Sequence, residues 1–138
     1  MSTRSIIASE GTDGSVMAVY CHWDGYPSYN GKILLEKYNT SEKVAKLLKP
    51  GDMSSLDEKC SKPKGHSFDN RVLGYTVYYG RDRGEKNVGT KVFDSVKGLD
   101  EMDYGQYYEY LFRDAKWFFR ETGGKWKVLT PKDCEDKC

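Results

Sequence analysis

Val16-Met17-Ala18-Val19-Tyr20-Cys21-His22-Trp23-Asp24-Gly25-Tyr26-Pro27 is the stretch from which the fold can be read. Its first seven residues are dominated by apolar, β-branched and aromatic types, a composition that favours extended backbone. In a strand, Val16, Ala18, Tyr20 and His22 point to one face and Met17, Val19, Cys21 and Trp23 to the other. Both faces are then largely apolar, so the strand is expected to be central, with His22 at its end. Asp24-Gly25-Tyr26-Pro27-Ser28 reads as the turn that follows, because Pro27 cannot extend a ladder and Gly25 is free to take positive φ. Upstream, Ser5 to Ser9 is a second such segment, and Gly11-Thr12-Asp13-Gly14 is a spacer of the kind that closes an antiparallel hairpin.

Working outward, Ile33, Leu34 and Tyr38 fit a short helix over 30–38, and Val44, Leu47 and Leu48 fit a second over 42–48 that Pro50-Gly51 stops. Asn39 or Thr40 is positioned to cap the second helix, with Glu42 in its first turn. Residues 52–70 read as a long loop, 73–79 as a strand, 80–89 as a loop, 91–93 as a strand, and 94–102 as a short helix capped by Asp94. The segments 107–112, 116–121 and 125–129, parted by Arg113-Asp114-Ala115 and Thr122-Gly123-Gly124, have the layout of a three-stranded meander. The expected fold is α+β: an antiparallel sheet, made of the N-terminal hairpin and the C-terminal meander, with two short amphipathic helices on one face. Residues 1–138 form a single domain in this reading, and 131–138 are a flexible charged tail with little burial.

Composition narrows the function classes. Lys plus Arg is 22 and Asp plus Glu is 21, a net charge of +1, which carries neither the basic signature of a nucleic-acid coat nor the acidic one of a DNA mimic. No apolar run is long enough to span a membrane, and the N-terminus lacks the apolar core of a signal peptide, so the expected location is cytoplasmic. The eleven Tyr, five Phe and three Trp exceed what one small core requires, and Tyr suits half-exposed sheet faces and interfaces. Cys21, Cys60, Cys134 and Cys138 are expected to be free thiols. A zinc site built from Cys134, Cys138, Cys60 and His66 is not expected, nor is a cofactor.

The phosphate-loop, dinucleotide, nucleophile-elbow, zinc-protease and EF-hand motifs are all missing. Three polar clusters remain: Cys21 to Pro27, His66-Ser67-Phe68-Asp69-Asn70, and Arg81-Asp82-Arg83-Gly84-Glu85. The candidate binding residues are His22, Trp23, Tyr26, His66, Arg81 and Arg83. If the clusters converge, His22 and His66 can act as acid and base, Asp24 and Asp69 as orienting carboxylates, and Arg81 and Arg83 as an anion clamp for a phosphoester or nucleotide. The plainer reading makes His22 a strand-end imidazole bonding the turn, Trp23 core, and the Arg81–Glu85 run a solvated loop of local pairs.

Ser2-Thr3-Arg4-Ser5, Tyr20 to Pro27 with Asn30-Gly31-Lys32-Ile33-Leu34-Leu35, and His66-Ser67-Phe68-Asp69 with Arg81 to Glu85 resemble a family of small bacteriophage and prophage proteins. The resemblance covers most of the first 85 residues and implies a context rather than a residue role: an accessory protein that binds and inhibits a host factor, such as a host-defence component, without catalysis. The alternatives are capture of a small nucleotide and processing of a phosphoester.

Overall fold

In the computed structural model, which describes residues 2–135, the hairpin forms as the alternation requires. β1 (Ser5–Glu10) and β2 (Val16–Cys21) pair antiparallel, with Ser5 opposite Cys21 and Glu10 opposite Val16. The Asp13 carboxylate accepts both the N–H and the hydroxyl of Ser15 and so closes the turn. The second half of the expectation also holds: β6 (Tyr108–Arg113), β7 (Lys116–Glu121) and β8 (Lys127–Val128) form an antiparallel meander.

The way the two halves join corrects the all-antiparallel expectation. β1 pairs parallel with β6, and β2 touches β3 (Met53–Ser55) in parallel at Cys21 and Met53. The single sheet therefore runs β4-β3-β2-β1-β6-β7-β8, where β4 is Val77–Tyr78, and β5 (Lys91–Phe93) pairs antiparallel with the first half of β2. Strand direction beside β1 depends on where roughly a hundred residues of intervening chain re-enter the sheet. No local pattern carries that information.

Both faces of β2 are covered, as its alternation demands. On one side Ile7, Val19, Cys21, Tyr110, Phe112, Trp117 and Phe119 pack against Leu34, Tyr38, Val44, Leu47 and Leu48 of the helical segment. On the other, Ile6, Ala8, Val16, Ala18 and Leu111 are covered by Phe93, Leu99 and Met102, the last two from or beside a 3-10 helix, Val96–Glu101. Each large aliphatic side chain buried in this way contributes about 1.5–3 kcal/mol of transfer free energy.

Helix α2 (Ser41–Leu48) begins at the expected cap, where Thr40 accepts the Lys43 N–H. The first helical segment starts earlier than the periodicity predicts: a π turn over Pro27–Gly31 runs directly into α1 (Lys32–Lys37). Asn30, buried within that turn, donates to Ser5 Oγ and the Trp23 carbonyl and so ties the entry of the helix to the sheet. The strand expected over 73–79 reduces to β4, with Leu73 96% exposed at a loop tip. Asp82 interrupts it by accepting the Tyr78 N–H, which turns the chain into α3 (Tyr79–Arg83), a helix that begins in the expected strand and runs into the expected 80–89 loop. Ser95, rather than Asp94, precedes the 3-10 helix, and it makes no side-chain cap. Within the expected tail Pro131, Lys132 and Glu135 are exposed, but Asp133 accepts the N–H and hydroxyl of Thr130, and Cys134, contrary to expectation, is buried in the helix-side core. Residues 136–138 lie outside the described part of the chain.

Candidate functional site

The β1 register defines one end of the sheet. Ser5 pairs with Cys21 on one side and Tyr108 on the other, so the residues one step outward, Arg4, His22 and Tyr107, stand in a row on three adjacent strands. Backbone bonds lock that row. Tyr107 N–H donates to the Arg4 carbonyl at 2.8 Å, His22 N–H to the Met53 carbonyl at 3.1 Å and Trp23 N–H to the Ser54 carbonyl at 3.0 Å.

The turn after β2 is held equally firmly. Gly25 N–H donates to the Thr3 carbonyl at 2.7 Å and the Gly25 carbonyl accepts the buried Tyr110 hydroxyl at 2.6 Å. A Cβ at position 25 would sit 2.8 Å from the Thr3 carbonyl oxygen, so only glycine allows this approach. Asp24 takes φ +57°, a left-handed conformation that Asp tolerates, and its carboxylate accepts the Tyr26 hydroxyl at 3.0 Å.

A ladder of rings crosses this end: Tyr104 lies 5.3 Å from Tyr20, Tyr20 5.9 Å from His22, and His22 4.7 Å from Trp23. Tyr20 and the His22 Nδ1 share a hydrogen bond of 2.6 Å. Burial pushes the Tyr20 hydroxyl up to about 12, so it keeps its proton and donates; the His22 ring proton then belongs on Nε2. Burial first, and the nearby Arg4 charge second, lower the His22 pKa, which keeps the ring neutral at pH 7. Trp23 is 41% exposed, Tyr26 38%, Tyr104 38% and Tyr107 68%. Trp23 is therefore not core, and His22 bonds Tyr20 rather than the turn, which corrects both plainer readings.

The other two clusters form a different structure. His66 is buried; its Nδ1 accepts the Val72 N–H at 3.0 Å, leaving the ring proton on Nε2, 3.3 Å from Asp82 Oδ2. The carboxylate facing His66 is thus Asp82, while Asp69 is exposed on the loop. Arg81 grips Asp82 with Nε and Nη2 at 2.9 and 3.1 Å and also donates to the Cys60 and Thr76 carbonyls. Burial alone would raise the Asp82 carboxyl, but the Arg81 guanidinium, the Tyr78 N–H and His66 together hold it below the ordinary range. Arg81 is accordingly an internal staple, not an anion clamp. Arg83 is half-exposed, pairs with Glu85 at 3.0 Å and lies over the Phe68 and Tyr79 rings.

His22 and His66 share no hydrogen bond or ring contact among the described residues, so the acid and base pair is not assembled. Among the same residues no group of His, Cys, Asp and Glu is placed to hold a metal ion, and no helix is long and apolar enough to cross a membrane. Sequence reasoning missed Arg4, Tyr20, Tyr104 and Tyr107. Tyr104 and Tyr107 lie about eighty residues beyond Trp23 in the chain, and the β1–β6 pairing is what brings them to its end of the sheet. No protein-family model, curated protein or solved structure matches this chain.

Proposed function

We propose that the chain is a non-catalytic binding protein that docks a partner protein on the aromatic end of its sheet. The observation that carries this reading is the rigid mounting of exposed aromatics: Trp23 and Tyr26 project from a turn whose backbone is tied to Thr3, Ser54 and Tyr110. Binding energy in protein interfaces concentrates in Trp, Tyr and Arg, and side chains held in place before binding lose little entropy when they dock. In the setting that the phage resemblance implies, the partner is a host protein met in the host cytoplasm, with defence components the first class to screen. The enzymatic alternative has less support, because His66 and Arg81 are engaged inside the protein and His22 stands apart from them.

The test compares proteins captured from host lysate by the native chain and by a Trp23→Ala/Tyr26→Ala variant. One stoichiometric protein, retained by the first and lost by the second at equal melting temperature, is the expected result. Failure of the folded native chain to retain any stoichiometric protein overturns the proposal.

A further inference from the structure

The lobe from Lys59 to Lys86 is closed on itself by a bridge between Lys59 and Tyr75 and by the Phe68 N–H bonded to the Asp82 carbonyl at 2.9 Å. It holds seven Lys and Arg against three Asp and Glu, in a chain whose net charge is only +1. One of those acids, Asp82, is buried against Arg81, and Glu58 just outside the lobe turns to Lys37 of α1. The lobe's surface is therefore cationic although the whole protein is close to neutral.

Two of the arginines converge on one ring. The Arg71 guanidinium lies 4.8 Å and that of Arg83 4.2 Å from the centre of Phe68, which itself stacks on Tyr79 at 5.7 Å. Arg71 comes from the loop and Arg83 from α3, so the fold brings both guanidinium groups to the Phe68 ring. Arg71 uses Nε on the Phe68 carbonyl, and Arg83 uses one Nη on Glu85, an exposed pair of small energetic weight. A guanidinium held against a ring keeps its N–H edge pointed away from it, already oriented for two-point contact with phosphate oxygens.

We propose that Arg71 and Arg83, mounted on Phe68 and Tyr79, form a binding site for a phosphate ester, separate from the aromatic end of the sheet. The clamp foreseen for Arg81 and Arg83 is thereby reassigned, with Arg71 replacing Arg81, which is held by Asp82. Both a free nucleotide and a single-stranded nucleic acid present this chemistry.

Two titrations of the full chain distinguish the sources. Anisotropy of a fluorescein-labelled single-stranded oligonucleotide reads strand binding, which weakens steeply with salt through counterion release. Calorimetry with AMP reads the free nucleotide. The site predicts saturable binding in at least one titration, weakened about tenfold or more in Arg71→Ala/Arg83→Ala, the loss expected when charge-assisted hydrogen bonds are removed. The doubly substituted Arg71→Lys/Arg83→Lys protein keeps the charge and the fold but loses the planar fork, and it must weaken binding too. Absence of saturable binding to either probe, an unchanged affinity in the alanine variant, or full affinity in the lysine variant each overturns the site.

Discussion

The Tyr20 hydroxyl, on β2, donates to Nδ1 of His22, just past the end of that strand, across 2.6 Å. This bond needs an unprotonated Nδ1, so the geometry at the end of the sheet is tied to the neutral imidazole. Because burial and Arg4 depress the His22 pKa in the folded chain, the unfolded chain takes up this proton first. The contribution to stability is thus complete above the ordinary value of 6.5 and is lost as pH falls from there through the folded pKa. Urea midpoints measured from pH 8 downward should fall in that window for the native chain and fall less for His22→Gln. Equal slopes in the two proteins would show that His22 does not carry the effect.

Trp23→Ala and Tyr26→Ala should each cost clearly less stability than loss of a core ring, since Trp23 keeps 41% and Tyr26 38% of its surface exposed. Trp117→Ala is the contrast: Trp117 is buried and donates its ring N–H to the Tyr38 carbonyl, so its removal should cost about 3–5 kcal/mol. Thermal melts of the three variants check the ranking. Comparable losses at Trp23 and Trp117 would make the turn scaffold rather than surface.

Asp82→Ala leaves Arg81 partly buried with no carboxylate and the Tyr78 N–H without its acceptor. The expected loss is about 3–5 kcal/mol at neutral pH, as for other broken buried pairs. In the native chain the same interaction should weaken under acid conditions, as pH falls from the ordinary carboxyl value of 3.8 through the depressed folded one. Chemical denaturation at pH 7 and pH 3 measures both effects, and an Asp82→Ala protein as stable as the native one at pH 7 would refute the staple.

Gly25→Ala should destabilise by about 1–3 kcal/mol, because its Cβ would meet the Ser5 Cβ and the backbone of Thr3 and Arg4, none of which can swing aside. Faster amide exchange at Gly25, whose N–H bonds the Thr3 carbonyl, would accompany it. A variant with native stability and exchange would mean that the strand ends separate without cost.

The sequence alone was sufficient for the hairpin, the meander and helix α2, because alternation over six residues, a Gly-rich turn or a Thr40 cap acts between neighbours in the chain. It also marked the Cys21 to Pro27 turn as a place where aromatics and polar groups meet. It did not determine that Trp23 is exposed, since a Trp after a strand serves core and surface equally well. Tertiary structure decided three things: that β6 fills the edge of β1 in parallel and brings Arg4 and Tyr107 beside His22, that Asp82 rather than Asp69 faces His66, and that Arg71 shares Phe68 with Arg83. Each depends on where distant segments re-enter the fold, and that is set by the burial of both sheet faces together, a property no short window of residues contains.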